Sequence, residues 1–293
     1  MPTIERDDGT TIHYDVHGEG EPVVLIMGLG VDGHGWDLQV PGMAARHHVI
    51  VVDNRGVGRS GKPAGPYSIP MMADDVAAVL DAVGTERAHV VGVSMGGMIA
   101  QELTLRHPSR VGALVLGVTF ARPGEEVRAT SEQGGAQIAS GVGSAGPSPL
   151  ALMMSGQLDL SAIDVRQAFS FLMPLVLSEK FLREKRAWLA EMLDRSIGYG
   201  FSMKGLAAQI AAVLAHDTVA RLPSLRAPTL IVTGSKDRLV PPRHSDELAA
   251  LIPGSRLVVR EGGTHGINFE DAEWFQETIL DHLARHPLAE EIA

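Results

Sequence analysis

Two kinds of hydrophobic pattern divide this chain. Residues 11–16 alternate apolar and polar side chains, which predicts a half-buried strand. Val23-Val24-Leu25-Ile26-Met27, Val49-Ile50-Val51-Val52, Ala88–Val93 and residues 113–118 are almost uninterrupted apolar runs. Such runs suit strands buried on both faces of a parallel sheet. Helix-like stretches lie between them at 36–46, 68–83 and 95–106. In the second, Met72, Val76, Val79, Leu80 and Val83 recur at helical spacing behind Ser68, a residue type that caps helices. The rhythm returns late, with strands at 228–233 and 256–260 and helices at 245–251 and 271–284. This alternation predicts an α/β fold: a mostly parallel, doubly wound sheet.

Residues 122–224 break the rhythm and predict a helical insertion into a core formed by 1–121 and 225–293. A glycine-rich run from Gly134 to Pro147 has the composition of a flexible linker. Beyond it, Phe181, Trp188, Leu189 and Met192 form one helical stripe, and Met203, Leu206, Ile210, Val213 and Leu214 another. Met153, Met154, Met173, Met192 and Met203 could line a soft apolar pocket. A stripe at helical spacing more often packs an insertion onto its core, and most of these residues are read that way. The insertion is apolar at Phe169, Phe171, Leu172, Met173, Trp188 and Met192, which suits a hydrophobic substrate group. Trp36, Met173, Trp188 and Met192 are the expected substrate contacts.

Composition narrows the chemistry. The 293 residues, 45% of them hydrophobic, suffice for one large core with an insertion. A formal net charge of −10 argues against nucleic-acid or anionic-membrane binding through a basic face. The absence of cysteine excludes disulfides, thiolate metal sites and cysteine catalysis. The N-terminus has neither a basic nor an apolar leader segment, and no apolar run is long enough to span a bilayer. The expectation is a cytoplasmic enzyme, monomer or homodimer, with no metal, no cofactor and a small-molecule substrate.

The chemistry concentrates in Gly92-Val93-Ser94-Met95-Gly96-Gly97, between the strand run 88–93 and the helix run that follows. A serine flanked by glycines at a strand-to-helix turn reads as a nucleophile elbow. The turn strains the serine backbone and projects its hydroxyl, while the Met95 amide at the new helix N-terminus faces a forming oxyanion. Glycine and serine are common in loops, so the motif needs partners.

Serine needs a base, and a histidine oriented by a carboxylate is the usual one. Of the twelve histidines, His265 stands in Gly262-Gly263-Thr264-His265-Gly266, just after a strand. Asp237 also follows a strand. An aspartate beside glycine is ordinarily turn chemistry, but the order Ser94, Asp237, His265 places three candidates in succession after strand ends, where open α/β sheets carry their active sites. A second oxyanion donor is expected from Met27-Gly28-Leu29-Gly30, with the Leu29 amide first and Gly28 next.

These motifs together resemble the α/β-hydrolase superfamily. Asp53-Asn54-Arg55-Gly56-Val57-Gly58-Arg59-Ser60 is similar to that family's D-x-R-G-x-G-x-S loop, and the resemblance runs from about Thr11 to Leu283 outside the insertion. It implies Ser94 as nucleophile, His265 as base, Asp237 as orienting acid, an oxyanion hole from Leu29 and Met95, and a cap in the middle segment. Met27-Gly28 replaces the His-Gly of many members and looks like small esterases of the aclacinomycin methylesterase and 3-oxoadipate enol-lactonase kind. The implied reaction is hydrolysis of a carboxylic ester or lactone. A cofactor-free haloperoxidase or perhydrolase, a carbon–carbon bond hydrolase and an acyltransferase share the same triad. A different class competes through Gly28-Leu29-Gly30-Val31-Asp32-Gly33 with Asp53, a G-x-G-x-x-G dinucleotide fingerprint that implies an NAD-dependent oxidoreductase. Pro41, which interrupts the helix such a site needs, counts against it.

Overall fold

The computed structural model describes residues 2–124 and 165–288. Eight strands form one sheet: β1 (Thr3–Glu5), β2 (Thr11–His17), β3 (Glu21–Ile26), β4 (His47–Val52), β5 (Ala88–Val93), β6 (Val111–Gly117), β7 (Thr229–Gly234) and β8 (Arg256–Arg260). Their spatial order is β1-β2-β4-β3-β5-β6-β7-β8. All neighbouring pairs from β4 to β8 are parallel, and β2 joins β1 and β4 antiparallel. The sheet is therefore mostly parallel.

Alternate residues of the apolar runs face opposite layers, as the strand period requires. Val24, Ile26, Ile50, Val52, Val90, Leu114 and Leu116 pack under α2 (Ile69–Ala82) and α3 (Met95–Arg106). Val23, Leu25, Val49, Val51, Val91, Val93 and Val115 pack on the other face, under α1 (Val40–Ala44) and α10 (Ala272–Ala284). Ser68 caps α2 by accepting the Met71 amide at 3.2 Å. The helix expected at 36–46 is reduced to a 3-10 turn, Gly33–Trp36, and the five-residue α1. Pro41, which lacks an N–H and clashes with the preceding turn, starts a new helix rather than continuing one from Trp36.

Between β6 and β7 the described chain is helical: α4 (Val165–Val176), α5 (Glu179–Glu184), α6 (Arg186–Gly198) and α7 (Met203–Leu214). The glycine-rich run, Met153 and Met154 lie outside the described residues. The remaining helices are α8 (Arg243–Leu251) and α9 (Ile267–Glu270). Among the described residues no single helix is long and apolar enough to cross a membrane; α6 and α7 would suffice together but are bent by 103°.

The order of strands reverses beside β3, which has β4 on one side and β5 on the other. The crevice outside the carboxyl ends of β3 and β5 is where such a sheet offers space for a ligand.

Candidate active site

Ser94 stands at that crevice, immediately after β5. Its φ of 55° and ψ of −122° put a non-glycine residue in a sparsely populated backbone region. The elbow holds it there. The Ser94 amide donates to Gly117 O at 2.9 Å, and the Thr119 hydroxyl donates to Ser94 O at 2.8 Å. The glycines are required by backbone, not by the serine side chain. A Cβ on Gly92 would sit 2.2 Å from Gly96 O, and one on Gly96 would sit 2.1 Å from Ile26 O. The turn thus packs backbone on backbone against the end of β3. Met95 opens α3, where first-turn amides lack intrahelical acceptors.

Asp237 and His265 follow β7 and β8. His265 Nδ1 lies 2.8 Å from Asp237 Oδ2, and both residues are buried. The Leu239 and Val240 amides donate to Asp237 Oδ1 at 2.9 and 2.8 Å. With Nδ1–H donating to the carboxylate, Nε2 is left as the acceptor nitrogen of the imidazole. On the other flank, Gly28 abuts the serine: a Cβ there would lie 3.1 Å from Ser94 Cβ and 3.6 Å from its Oγ. Ser94, Gly28 and the Met95 amide therefore share one end of the crevice, and Leu29 is the next residue of its wall.

Three further residues brace this arrangement, in roles that sequence reasoning missed. Asn54 Nδ2 donates to Met27 O at 2.9 Å. Gln209 on α7 accepts from Gly30 N at 2.9 Å and donates to Arg55 O at 2.8 Å. Glu270 on α9 accepts from Ser178 N and Thr264 Oγ1, each at 2.7 Å, and from Ser178 Oγ. Thr264 precedes His265, so Glu270 ties the histidine turn to the start of α5. A signal for Gln209 was present: it falls with Leu206, Ile210 and Val213 on one helical face, where a polar residue is out of place.

The expected substrate contacts divide. Trp36 is a core residue, contrary to expectation. It is 0% exposed and stacks on Phe275 at 6.5 Å between the sheet and α10. A side chain with no accessible surface cannot line a pocket. Its turn places it below the sheet because Gly33 and Gly35 let that turn lie against Val51, Asp53 and Met27. Trp188 borders a cleft of about 480 Å³ with Leu38, Phe181 and Phe269, whose lining includes none of Ser94, Asp237 and His265. It meets Phe181 and Phe269 edge-on, at 6.2 and 5.6 Å. Met173 on α4 and Met192 on α6 are half-buried. The end of α4 is pinned to the histidine loop, where Gly266 N donates to Val176 O at 2.7 Å.

A charged network lies beneath the Gly28–Gly33 segment. Buried Asp53 accepts from Gly33 N at 2.7 Å, Arg59 N at 2.9 Å and Arg59 Nε at 3.0 Å. Arg59 also pairs with Asp15 at 2.7 Å. Burial disfavours the Arg59 charge, yet Asp53 and Asp15 together hold its pKa above the ordinary arginine value. Burial likewise disfavours the Asp32 charge, while bonds from the His34 ring and amide hold that carboxyl below its ordinary value. This network takes up the residues the dinucleotide fingerprint would use. Asp53 is engaged by Gly33 and Arg59, and Gly33 opens a four-residue 3-10 turn. A pyrophosphate needs the amides of a firm helix N-terminus there.

The family model for the alpha/beta hydrolase fold matches residues 21–141 and 165–272. A protein of Azorhizobium caulinodans named "Putative carbamate hydrolase RutD" is 34% identical over 281 residues, covering 96% of this chain and 97% of its own. Among solved structures, Est816, described as an N-acyl homoserine lactone degrading enzyme, is 34% identical with a TM-score of 0.77, covering 96% of this chain and 99% of its own. The enol-lactonase from Burkholderia xenovorans LB400 is 27% identical with a TM-score of 0.77, covering 97% of this chain and 100% of its own.

Proposed function

The chain belongs to the alpha/beta hydrolase fold family, and on that premise we propose that it is a serine hydrolase of carboxylic esters or lactones. The observation that carries the reading is Ser94, held at φ 55° at the mouth of the crevice. Strain of this kind costs on the order of 1–3 kcal/mol and persists where the surroundings impose it. His265 Nε2 takes the Ser94 proton as Oγ bonds to the substrate carbonyl carbon, and the carbonyl electron pair moves to oxygen. The Leu29 and Met95 amides donate to that oxyanion. Asp237 keeps the imidazole in the required tautomer and orientation. When the oxyanion collapses, the carbon–oxygen bond to the alcohol breaks and His265 returns the proton to the leaving oxygen. Water then repeats both steps on the acyl-enzyme. The helices between β6 and β7 act as the cap over this site, and Met173 and Met192 supply part of its apolar wall.

The same steps cleave a carbamate, with nitrogen or oxygen as the leaving atom. The name of the Azorhizobium relative favours that as the second reading. A panel of p-nitrophenyl esters, lactones and carbamates ranks the two. Ser94→Ala is expected to lower turnover of the best substrate by at least about a thousandfold and to abolish labelling by a fluorophosphonate. Undiminished labelling of that variant sinks the nucleophile assignment.

A further inference from the structure

The Leu29 amide, the donor assigned above, belongs to the peptide between Gly28 and Leu29. A glycine stands on either side of Leu29, at 28 and 30, and Gly30 adopts a φ of +72° that side-chain-bearing residues rarely take. Left alone, such a segment has the freedom to turn its amides away from Ser94. It is held at both ends instead. The peptide before Gly28 is fixed through its carbonyl, where Asn54 Nδ2 donates to Met27 O at 2.9 Å. The peptide after Leu29 is fixed through its amide, which donates to Gln209 Oε1 at 2.9 Å. The donor peptide lies between these two fixed ones.

The two clamps come from different parts of the molecule. Asn54 belongs to the loop after β4. Gln209 reaches in from α7, in the segment between β6 and β7. It is 0% exposed, and its partners fix which way the amide faces: an N–H opposite its oxygen and the Arg55 carbonyl, at 2.8 Å, opposite its nitrogen. A buried side-chain amide is tolerated only when satisfied in this way. One turn earlier, Gly205 brings α7 to backbone contact, since a Cβ there would lie 2.6 Å from Gly56 O. Leu206 packs against Gly30 on the same side.

We propose that Gln209 is a positioning residue for the oxyanion hole, so that the hole is formed only when α7 is docked on the Leu29–Gly30 and Arg55–Gly56 loops. The inference rests on the serine-hydrolase reading above. It makes the inserted helices part of the oxyanion hole's geometry as well as a wall for substrate. Gln209 touches no reacting atom; it acts through the Leu29–Gly30 peptide.

The test compares Gln209→Met, which keeps the volume and removes both bonds, with Val213→Ala, which trims the packing of α7 one turn on while keeping both bonds and the docked helix. The readouts are kcat and KM on p-nitrophenyl butyrate and the affinity of an alkyl trifluoromethyl ketone. Ser94 Oγ adds to the carbonyl carbon of that ketone, its proton passes to His265, and the ketone oxygen becomes the anion in the hole. Gln209→Met is expected to lower kcat by roughly 10- to 100-fold, less than outright loss of a donor, with KM within about threefold. The ketone affinity falls by a similar factor. Val213→Ala lowers the melting temperature and leaves kcat and ketone affinity unchanged. If Gln209→Met does not fold, Gln209→Asn, one methylene short of both partners, is read by the same numbers. The proposal is overturned if the glutamine variant keeps kcat and ketone affinity within about twofold, or if Val213→Ala loses them equally. Turnover surviving in Ser94→Ala would overturn the hydrolase reading instead.

Discussion

Two tryptophans show how differently the sheet and the inserted helices are built. Trp36 has no exposed surface and stacks on Phe275 beneath the sheet, with its indole N–H buried and without a partner among the described residues. Trp188 on α6 is half-buried and meets its neighbours edge-on beside an open cleft. The same side chain serves as structural filler in one region and as a cleft wall in the other. The sheet is held by apolar burial on both faces. The inserted helices pack fewer apolar side chains onto the core, Ala212 and Val213 among them, and add a few directed bonds through Gln209, Glu270 and Gly266. The first kind of region tolerates little change of volume. The second is sensitive to the loss of particular donors and acceptors.

The largest expected effect sharpens this contrast directly. Trp36→Ala leaves a cavity in a closely packed layer and should cost about 3–5 kcal/mol. Trp188→Ala removes edge-on aromatic contacts at a partly solvated site and should cost about 1 kcal/mol. Urea unfolding of the two variants gives both numbers. Protein that remains folded in the Trp36 variant should bind substrate with an unchanged KM, since Trp36 touches no pocket. Equal losses of stability would erase the distinction between the regions.

A second test uses acid. His216, where the chain leaves α7 for β7, and His282 on α10 are each 3% exposed, and burial pushes each pKa down to about 4. An unfolded histidine titrates near 6.5. Between those values the unfolded chain binds protons that the folded one refuses. Stability is therefore full above pH 6.5 and falls as the pH drops toward 4. By pH 5 each histidine should have cost on the order of 2 kcal/mol. The two differ in their bonds. His282 Nε2 donates to Pro228 O at 3.2 Å, whereas neither ring nitrogen of His216 has a partner among the described residues. Burial also lowers the pKa of His13 and His89, so His216→Phe should remove on the order of 2 kcal/mol of the stability difference between pH 8 and pH 5 rather than all of it, with no hydrogen bond lost. A difference as large as that of the unaltered protein would mean that His216 is not a buried neutral imidazole.

The contrast also explains what was readable from the sequence. Strand runs such as 23–27 and 88–93 were legible because burial on both faces leaves an unbroken apolar signature. The elbow was legible because close backbone packing admits only glycine at 92 and 96. Asp237 and His265 could be found because chain order and strand ends are local properties. β1 has three residues with one half-buried side chain, too short for any pattern. Trp36 was misplaced because a bulky aromatic after a glycine-rich loop looks the same whether it turns above or below the sheet. Gln209, Asn54 and Glu270 each bond at least one residue far away in the chain, Gly30 being 179 positions from Gln209 and Ser178 92 from Glu270. No periodicity encodes such a partner, although a glutamine within an apolar stripe marks a position that needs one.

The smallest expected effect concerns the histidine side of the site. Glu270 accepts three bonds, from Ser178 N, Ser178 Oγ and Thr264 Oγ1. Glu270→Gln can keep Ser178 N and Thr264 Oγ1 on its one oxygen while the Ser178 hydroxyl turns round to accept from its N–H₂, so three charge-assisted bonds become neutral ones. Part of the cost is recovered at this half-exposed position, and about 1 kcal/mol of stability should go. The effect on kcat should stay under about threefold, because His265 keeps its bond to Asp237 and the Gly266 amide keeps Val176 O at 2.7 Å. The histidine is thus positioned chiefly by the sheet, and the Leu29 amide by an inserted helix. Steady-state kinetics on Glu270→Gln checks this asymmetry. A loss of kcat as large as that expected for Gln209→Met would show that both sides of the site depend on the inserted helices, and that the two regions are mechanically one.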